Sequence, residues 1–331
     1  MRTVTVGGQV VSCLGVGAMS FADFYGPTTE ANSFAILDAA REAGVTHVDT
    51  ASVYGMGRSE EAIGAWLKAN PGARDAMHIA TKGGINRGGK TGRTPYDNSP
   101  AFMEASLDAS LARLGLDCVD LYYVHRRDAG MPIEEIAGGL ARLVEKGKTR
   151  AIGFSEIAPS TLRRAHAVHP VAAVQSEYSL ATRFPELGLV QACAELGVAL
   201  VAFSPVGRSL LTDTPLPAEV IPTLPFLKTN PRFIEPNLSE NLRITDAFRA
   251  FARERGEPAA AIAIAWCLSR GDHVLPIPGT RSTAHFADLV RGTQITLSDA
   301  DLAEINRILP VGWAHGDRYS DDQWVGPERY C

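Results

Sequence analysis

The sequence predicts an α/β fold, a single (β/α)8 TIM barrel with an N-terminal β-hairpin and an extra C-terminal helix. Two observations predict it: short apolar runs alternate with helical patterns along the chain, and eight of these runs read as buried strands. At 331 residues the chain is long enough for one barrel, which typically takes about 250 residues. Because no linker or internal repeat divides it, we expect residues 1–331 to form a single domain. A doubly wound α/β sheet is the alternative fold.

The first predicted element is a β-hairpin before the barrel. A TVTV segment is followed by Gly7 and Gly8 and then by QVVSC. Two glycines suit a tight hairpin turn, because such turns need positive φ angles.

Eight apolar runs are predicted to form the barrel strands. Strands that alternate with helices imply right-handed crossovers and a parallel sheet buried on both faces, and eight such units close into a barrel. The runs lie at residues 13–16, 45–49, 77–82, 118–125, 149–154, 171–175, 198–203 and 273–277.

Helices between the strands are recognisable from their ends. Ser99 suits an N-cap and Pro100 the first helical position, with an apolar stripe after them. A second helix begins after Pro132 and ends before Gly147.

Two features lie outside the regular alternation. A late helix with its stripe at residues 302–309 is predicted as an addition to the barrel, and Ser298 with Asp301 suits a capping box at its start. Residues 204–239 form a long, Pro-rich, irregular stretch, and such loops are usually functional or mobile.

Composition and charge exclude several classes of protein. Apolar residues make up 45% and charged residues 21%, as in globular proteins. With 32 Lys and Arg against 37 Asp and Glu, and neither sign concentrated, we expect no nucleic-acid partner. The apolar stretch 259–268 is about half the length of a membrane span, so we expect no membrane partner. Five scattered cysteines and an N-terminus unlike a signal peptide favour the cytoplasm.

One segment matches a nucleotide-binding motif in residue types but not in the structural context that the motif needs. Residues 84–91 read GINRGGKT, which fits the phosphate-loop pattern. That loop needs a helix starting at its Lys-Thr, whereas Gly92 and Pro95 break any helix here. We therefore expect no ATP site.

Two pairs of residues, each with at least one histidine, have spacings that a metal site would use. His166 and His169 end a helix, where a cation is favoured in any case. His47 and Asp49 lie two apart on one strand, but later strand ends do not supply the further histidines that a barrel hydrolase needs. We expect no metal.

Ionisable side chains mark the ends of three successive predicted strands. Asp49 ends one strand with Tyr54 shortly after it, Lys82 ends the next, and His125 ends the third. Each alone suits a turn, packing or surface role. The carboxyl ends of barrel strands meet at one mouth, however, so we expect the four to lie together.

The chemistry that this set suits is proton donation at neutral pH. A free tyrosine has a pKa of about 10, and a nearby cation stabilises the phenolate. Lys82 would be that cation, Asp49 would hold it by an ion pair, and His125 would share a hydrogen bond with a substrate oxygen.

The sequence resembles the aldo-keto reductases over essentially its whole length. The segments that carry the resemblance are HVDTASVYGMGRSEEAIGAWL, IATKGG, DLYYVHRRD, GFSE, VQSEYS, FSPVGRSLL and PIPGTRS. The resemblance implies NADPH-dependent reduction of an aldehyde or ketone, or the reverse, by direct hydride transfer without a metal. It implies that Tyr54 is the general acid or base, that Lys82 and Asp49 tune it, and that His125 orients the carbonyl.

The resemblance also implies an NADP(H) site. Ser155 and Gln175 would hold the nicotinamide carboxamide, and Phe203 would stack on the ring. The residues implied for the pyrophosphate are Ser204, Gly207, Arg208 and Leu210. Those implied for the 2′-phosphate, at the start of a helix, are Gly279, Thr280 and Arg281. A helix N-terminus and a guanidinium suit a dianion, which favours NADP over NAD.

Some positions depart from the family pattern. His285 and Asp288 replace Arg and Glu of the adenosine clamp and Leu289 replaces Asn, which weakens the NADP preference. Glu156 stands where many members have Asn, so its role is open. Ala181 stands where related bacterial members often have Trp, which suggests room for a larger substrate.

Aromatic residues are expected around the mouth. They lie in the loop 21–25 and in the tail 313–324, and aromatic walls suit apolar or ring-bearing substrates. They could equally close the top of the barrel.

Two other functions stay open. Lys82 could form a Schiff base in an aldolase-like lyase. Alternatively, the chain could be a regulatory subunit that binds NADPH without turnover. The substrate, the direction of the reaction and the oligomeric state cannot be derived from the sequence.

Overall fold

The computed structural model describes residues 1–86 and 95–329. Within these residues, two antiparallel strands form a hairpin and eight parallel strands form one sheet in chain order. The hairpin strands are β1 (Thr3–Val6) and β2 (Gln9–Ser12). The sheet strands are β3 (Gly15–Gly17), β4 (His47–Asp49), β5 (His78–Gly83), β6 (Leu121–Val124), β7 (Ile152–Ser155), β8 (Val171–Glu177), β9 (Ala199–Phe203) and β10 (Val274–Pro276).

The sheet closes between its first and last strands. The N–H of Gly17, at the end of β3, donates to the carbonyl of Pro278, just after β10, at 2.9 Å. A Cβ at Gly17 would lie 2.5 Å from the carbonyl oxygen of Ile277, so only glycine allows this approach. The predicted (β/α)8 barrel with its hairpin is confirmed, and the single domain of residues 1–331 stays a prediction.

Helices cover the outside of the sheet. They are α1 (Glu30–Glu42), α2 (Arg58–Ala69), α3 (Ala73–Ala76), α4 (Pro100–Leu114), α5 (Ile133–Glu145), α6 (Pro159–Val168), α7 (Leu189–Leu196), α8 (Asn237–Glu254), α9 (Ala259–Leu268), α10 (Thr283–Arg291) and α11 (Asp299–Ile308). In the described part of the chain, none of the helices combines the length and the apolar character that crossing a bilayer requires.

The predicted helix ends are confirmed. The Ser99 hydroxyl accepts a hydrogen bond from Phe102 N, and Pro100 is the first residue of α4. Ser298 and Asp301 form the predicted capping box of α11, the extra C-terminal helix.

The predicted strand boundaries are wrong in several places. The run 149–154 includes Thr149, which forms only an isolated bridge with Val119, and β7 begins at Ile152. By contrast, β8 continues to Glu177. Apolar composition indicates which residues are buried, but it does not indicate where the hydrogen-bonded ladder begins.

The stretch 204–239 is irregular, as predicted, but it has a small core of its own. The buried side chains of this core are Leu210, Ile221, Leu224, Leu227, Phe233 and Leu238. Helix α8 begins at Asn237, inside the predicted loop, and sequence analysis missed this helix. The stretch is therefore a packed part of the fold.

The hairpin covers the amino-terminal end of the barrel. Gly7, in its turn, lies so close to Ala151 and Ala172 that a Cβ there would be about 3 Å from each, and these two residues stand at the starts of β7 and β8. Val4 and Val11 are buried beneath it. Because the hairpin covers the amino-terminal end, the carboxyl ends of the strands stay open for a functional site.

A buried histidine pair lies at the same amino-terminal end. His47 and His78 are register partners at the starts of β4 and β5, and their Nδ1 atoms are 2.9 Å apart. Burial lowers the pKa of His78 to about 4, although Asp120 opposes this shift. Burial, and then the neighbouring His78, also lowers the pKa of His47. Both rings are therefore neutral in the folded protein at neutral pH.

We expect this pair to make the protein acid-sensitive. The unfolded chain binds protons on these histidines near pH 6.5, whereas the folded chain does not, so stability falls as the pH drops from about 6.5 towards 4. Each histidine contributes up to about 1.4 kcal/mol per pH unit. Urea unfolding between pH 7 and 5 measures the slope, which His78→Gln should reduce. The exposed His315→Gln is the control, and an unchanged slope in His78→Gln would contradict the assignment.

Candidate active site

A cavity of about 1100 Å³ opens at the carboxyl ends of the strands. Residues from successive strand ends line it: Gly17, Asp49, His125, Ser155, Gln175, Phe203 and Ile277. Its wall also includes Tyr54 and, at the far side, residues 279–282. The barrel therefore brings the predicted catalytic residues and most of the predicted cofactor residues to one cavity.

A buried ion pair lies under this cavity. The Lys82 ammonium is fully buried and pairs with Oδ1 of Asp49. It also donates to the carbonyl of Thr50 at 2.8 Å and to the hydroxyl of Tyr54 at 3.4 Å. Three of the four predicted catalytic residues are thus in direct contact.

The charge of Lys82 is stabilised by its partner. Burial lowers the pKa of Lys82, but Asp49 and Tyr54 together outweigh burial, so the pKa is raised overall. The amine therefore stays protonated at neutral pH, and a cation faces the phenol oxygen of Tyr54.

His125 completes the cluster through its contact with Tyr54. It directly follows β6, and its backbone N–H donates to the Gly83 carbonyl at 2.8 Å. Its ring meets the ring of Tyr54 edge-on, with centroids 5.7 Å apart and an interplanar angle of 87°. Tyr54 itself begins a tight turn in which Gly55 and Met56 have positive φ.

The two residues predicted for the carboxamide also contact protein groups. Gln175 donates from Nε2 to Oδ2 of Asp49 at 2.8 Å, so it fixes the carboxylate that holds Lys82. The Ser155 hydroxyl accepts a hydrogen bond from Arg126 at 3.0 Å. Both still line the cavity, and their contact with a nicotinamide stays a prediction.

A strained turn forms the middle of the cavity wall. Ser204, Gly207, Arg208 and Ser209 all have positive φ, which is rare for residues other than glycine. Strain of this kind is typical of ligand-binding loops, and such turns direct backbone N–H groups into anion-binding concavities. The turn fits the pyrophosphate of a dinucleotide.

The far end of the cavity has the donors that a phosphate needs. The Ser282 hydroxyl caps helix α10, and Arg281, His285 and Asp288 line the wall beside it. The Arg281 guanidinium donates to the carbonyl of Pro27 at 2.7 Å, across the cavity. Helix N-terminus, guanidinium and strained turn together fit a phosphorylated dinucleotide.

Two predicted cofactor residues point elsewhere. The Leu210 side chain is buried in the small core, so only its backbone is available to a pyrophosphate. The Arg208 side chain borders the cavity, but its guanidinium pairs with Glu177 and donates to the carbonyl of Arg318 at 2.7 Å. A buried carboxylate attracts Arg208 away from any phosphate, and no pattern in the sequence indicates this partner.

Glu156 belongs to the same buried network. Its carboxylate accepts from the Glu177 N–H at 2.8 Å and pairs with Arg318 of the C-terminal tail. Burial raises the pKa of Glu156, but Arg318 outweighs it and holds the pKa below the usual value. The role left open by the sequence is therefore that of a tail anchor.

The C-terminal tail forms part of the cavity wall, and the sequence predicted its position only from its aromatic residues. Tyr319 lies in the cavity wall beside the guanidinium of Arg318, 4.7 Å from the ring centroid. Glu328 pairs with Arg127 and accepts from Ala158 N at 2.7 Å. The tail is thus tied to the barrel at both ends.

Other expectations have plain outcomes. Ala181 is buried beside Gly207 and is not among the residues that line the described cavity, and the effect of Ala in place of Trp stays a prediction. His166 accepts from Val171 N, and the described residues contain no group of three or more metal-binding side chains. Of the phosphate-loop match, residues 87–91 lie outside the described residues.

A (β/α)8 barrel with this Asp, Tyr, Lys and His cluster beside a cavity that has anion-binding features is the architecture of an oxidoreductase. Residues 13–310 match the model of the Aldo/keto reductase family, and the chain belongs to this family.

Named relatives and solved structures agree with the family. The chain is 38% identical to "Aldo-keto reductase yakc [NADP(+)]" of Schizosaccharomyces pombe, over 96% of this chain and 94% of that protein. It is 39% identical to "Probable aldo-keto reductase 1" of Glycine max, over 94% and 89%. The glycerol dehydrogenase AKR11B4 from Gluconobacter oxydans superposes with a TM-score of 0.82 at 27% identity, over 96% and 98%. The aldo-keto reductase AKR11C1 from Bacillus halodurans gives 0.76 at 26%, over 98% and 99%.

We expect Glu156→Gln to loosen the tail. The substitution leaves the buried Arg318 without its main carboxylate partner, which typically costs about 3 kcal/mol. Urea unfolding measures the loss, and limited proteolysis within residues 313–329 measures release of the tail. Glu304→Gln, which breaks only the surface pair with Arg307, is the control and should change little. Unchanged stability and unchanged proteolysis in Glu156→Gln would count against the anchor.

Proposed function

We propose that the chain is an NADP(H)-dependent oxidoreductase that reduces an aldehyde or ketone to an alcohol, or catalyses the reverse, with Tyr54 as general acid or base. The observation that carries the proposal is the 3.4 Å contact between the Lys82 ammonium and the Tyr54 hydroxyl at the floor of the cavity. A phenol held against a buried cation is suited to give up its proton to an adjacent oxygen.

Each residue of the cluster has a separate task. Tyr54 donates its proton to the substrate oxygen as negative charge develops there, and Lys82 stabilises the phenolate left behind. Asp49 keeps Lys82 charged and in place. His125, whose ring meets that of Tyr54, orients the carbonyl oxygen by a hydrogen bond. Bound NADPH supplies the hydride.

The lining of the cavity supports the cofactor contacts that we propose. Ser155 and Gln175 would hold the carboxamide, Phe203 would stack on the nicotinamide, and the turn at 204–209 would bind the pyrophosphate. Arg281 and the N-terminus of α10 would bind the 2′-phosphate. The name of the S. pombe relative, which specifies NADP(+), supports the phosphorylated cofactor. Asp288 beside this end opposes it, and burial, together with Asp213, raises the pKa of this carboxyl group.

The lyase alternative is disfavoured by the state of Lys82. A Schiff-base lysine must be neutral to attack a carbonyl. Here Asp49 raises the pKa of Lys82, and the ammonium already donates hydrogen bonds to three acceptors. Borohydride with a carbonyl substrate should therefore leave the chain unmodified.

The regulatory alternative differs from the enzyme only in turnover. Asp49, Tyr54 and His125 line the cavity and Lys82 lies beneath it, paired with Asp49, and this arrangement favours an enzyme.

We also propose the cytoplasm as the compartment of the protein, because Cys13, Cys118, Cys193 and Cys267 are free thiols.

We expect Tyr54→Phe to abolish most of the activity. The ring and its packing stay, but the donated proton is lost, so kcat for carbonyl reduction should fall at least 100-fold. Stopped-flow oxidation of NADPH with a panel of aldehydes and ketones measures the effect. NADPH affinity and the thermal unfolding temperature should match those of the wild type, and undiminished reduction at neutral pH would refute the acid assignment.

We expect Arg281→Ala to weaken NADPH selectively. Loss of the guanidinium should raise the Kd of NADPH about 10- to 100-fold and that of NADH less than about twofold. Fluorescence titration with both cofactors measures this. Arg291→Ala, which removes a charge from the other end of α10, is the control. Equal losses for the two cofactors, or no binding of either by the wild type, would contradict the cofactor assignment.

A further inference from the structure

We propose that Arg126 is an anion-binding residue of the substrate site and that the preferred carbonyl substrates carry a carboxylate. This inference rests on the proposed function and deepens it by naming a substrate class. Arg126 directly follows His125, lies in the cavity wall and is only partly buried.

The contacts of Arg126 place it at the reacting end of the cavity. Its Nη1 donates to the carbonyl of His125 at 2.7 Å and to the hydroxyl of Ser155 at 3.0 Å. Its Nη2 donates to the hydroxyl of Tyr319 at 3.3 Å. His125 is the proposed carbonyl ligand and Ser155 the proposed nicotinamide ligand, so the guanidinium borders the space where the substrate must sit.

These acceptors are all neutral. Among residues 1–86 and 95–329, no carboxylate forms an ion pair with Arg126, whereas Arg127, its neighbour in the chain, pairs with Glu328. A guanidinium in a partly desolvated wall binds most strongly to a planar anion that accepts two parallel hydrogen bonds. The structure leaves that partner to be supplied by a ligand.

The charges behind the wall add to this preference. The buried network next to Tyr319 contains three guanidinium groups and two carboxylates: Arg208, Arg232, Arg318, Glu156 and Glu177. With Arg126, positive charge exceeds negative charge by two in this region. Asp317 and Asp322, two acids of the same C-terminal tail, are exposed to solvent, where their charge is screened.

Two phenols supply further donors. Burial raises the pKa of Tyr25 to about 12 and also raises the pKa of Tyr319, so both hydroxyls keep their protons at neutral pH. Both line the cavity. An anion next to Arg126 would therefore meet donors on more than one side, with aromatic surface around it for a ring-bearing substrate.

The test compares charged and uncharged versions of the same aldehyde. Wild type, Arg126→Met and Arg126→Lys are assayed with NADPH and 3- or 4-formylbenzoate, and with the methyl esters of both. Arg163→Met, which removes a surface charge from α6, is the control. Because the ratio of acid to ester is measured within each variant, a general loss of folded protein cancels.

We expect the wild type to prefer at least one formylbenzoate over its ester by about 10- to 100-fold in kcat/KM, mainly through KM. In Arg126→Met this ratio should fall to about one, whatever general loss of activity the variant also shows with the ester, because loss of the contacts to His125 and Ser155 affects acid and ester alike. Arg126→Lys should keep part of the preference. High salt should reduce the preference in the wild type.

A binding measurement separates this inference from the proposed function. Isophthalate has the carboxylates but no aldehyde, and calorimetric titration with and without NADP+ needs no turnover. Binding that depends on Arg126 supports the inference even if no aldehyde is reduced. Reduction of esters and acids at equal rates, or an equal loss for both in Arg126→Met, overturns it while leaving the reductase function intact. Isophthalate binding that is unaffected by Arg126→Met also overturns it.

Discussion

The site depends on one buried ion pair, between Asp49 and Lys82. Two charges inside a barrel are costly unless hydrogen bonds compensate them, and here the Thr50 carbonyl, the Tyr54 hydroxyl and the Gln175 amide provide that compensation. These groups come from β4, β5, β8 and the turn after β4. A closed sheet is needed to hold them together, since Gln175 reaches Asp49 from across the barrel. The fold thus makes a stable cation available beneath a phenol.

A second polar network, around Glu156 and Glu177, fixes the other wall of the cavity. Its carboxylates bind Arg208 and Arg318, and the guanidinium groups of both lie near the ring of Tyr319. Because these groups are buried, loss of one partner is costly, and the tail is held in a single position. This side of the cavity wall is therefore held in place by buried ion pairs.

The sequence predicted what depends on local pattern and on strand order. Asp49, Lys82 and His125 stand at strand ends, and the barrel topology alone brings them together. Glu156 and Arg318 are 162 positions apart, and no spacing rule connects an acid after β7 with an arginine in the tail. The direction of a long side chain could not be predicted either: Arg208 is one of the residues predicted for the pyrophosphate, yet its guanidinium pairs with Glu177. Helix α8 was missed because it begins inside a Pro-rich stretch that has its own small core.

The arginines of the cavity wall differ in their partners, and this difference distinguishes an arginine that stabilises the fold from arginines that can bind a ligand. Three arginines line the described cavity: Arg126, Arg208 and Arg281. Arg208 is neutralised by Glu177, whereas Arg126 and Arg281 donate only to neutral oxygens within the described residues. Neutral acceptors hold a guanidinium in place without cancelling its charge, so an incoming anion gains a strong, preoriented partner. One such arginine lies beside the proposed phosphate end and the other beside His125, which argues for a cavity that recognises negative charge at both of its ends.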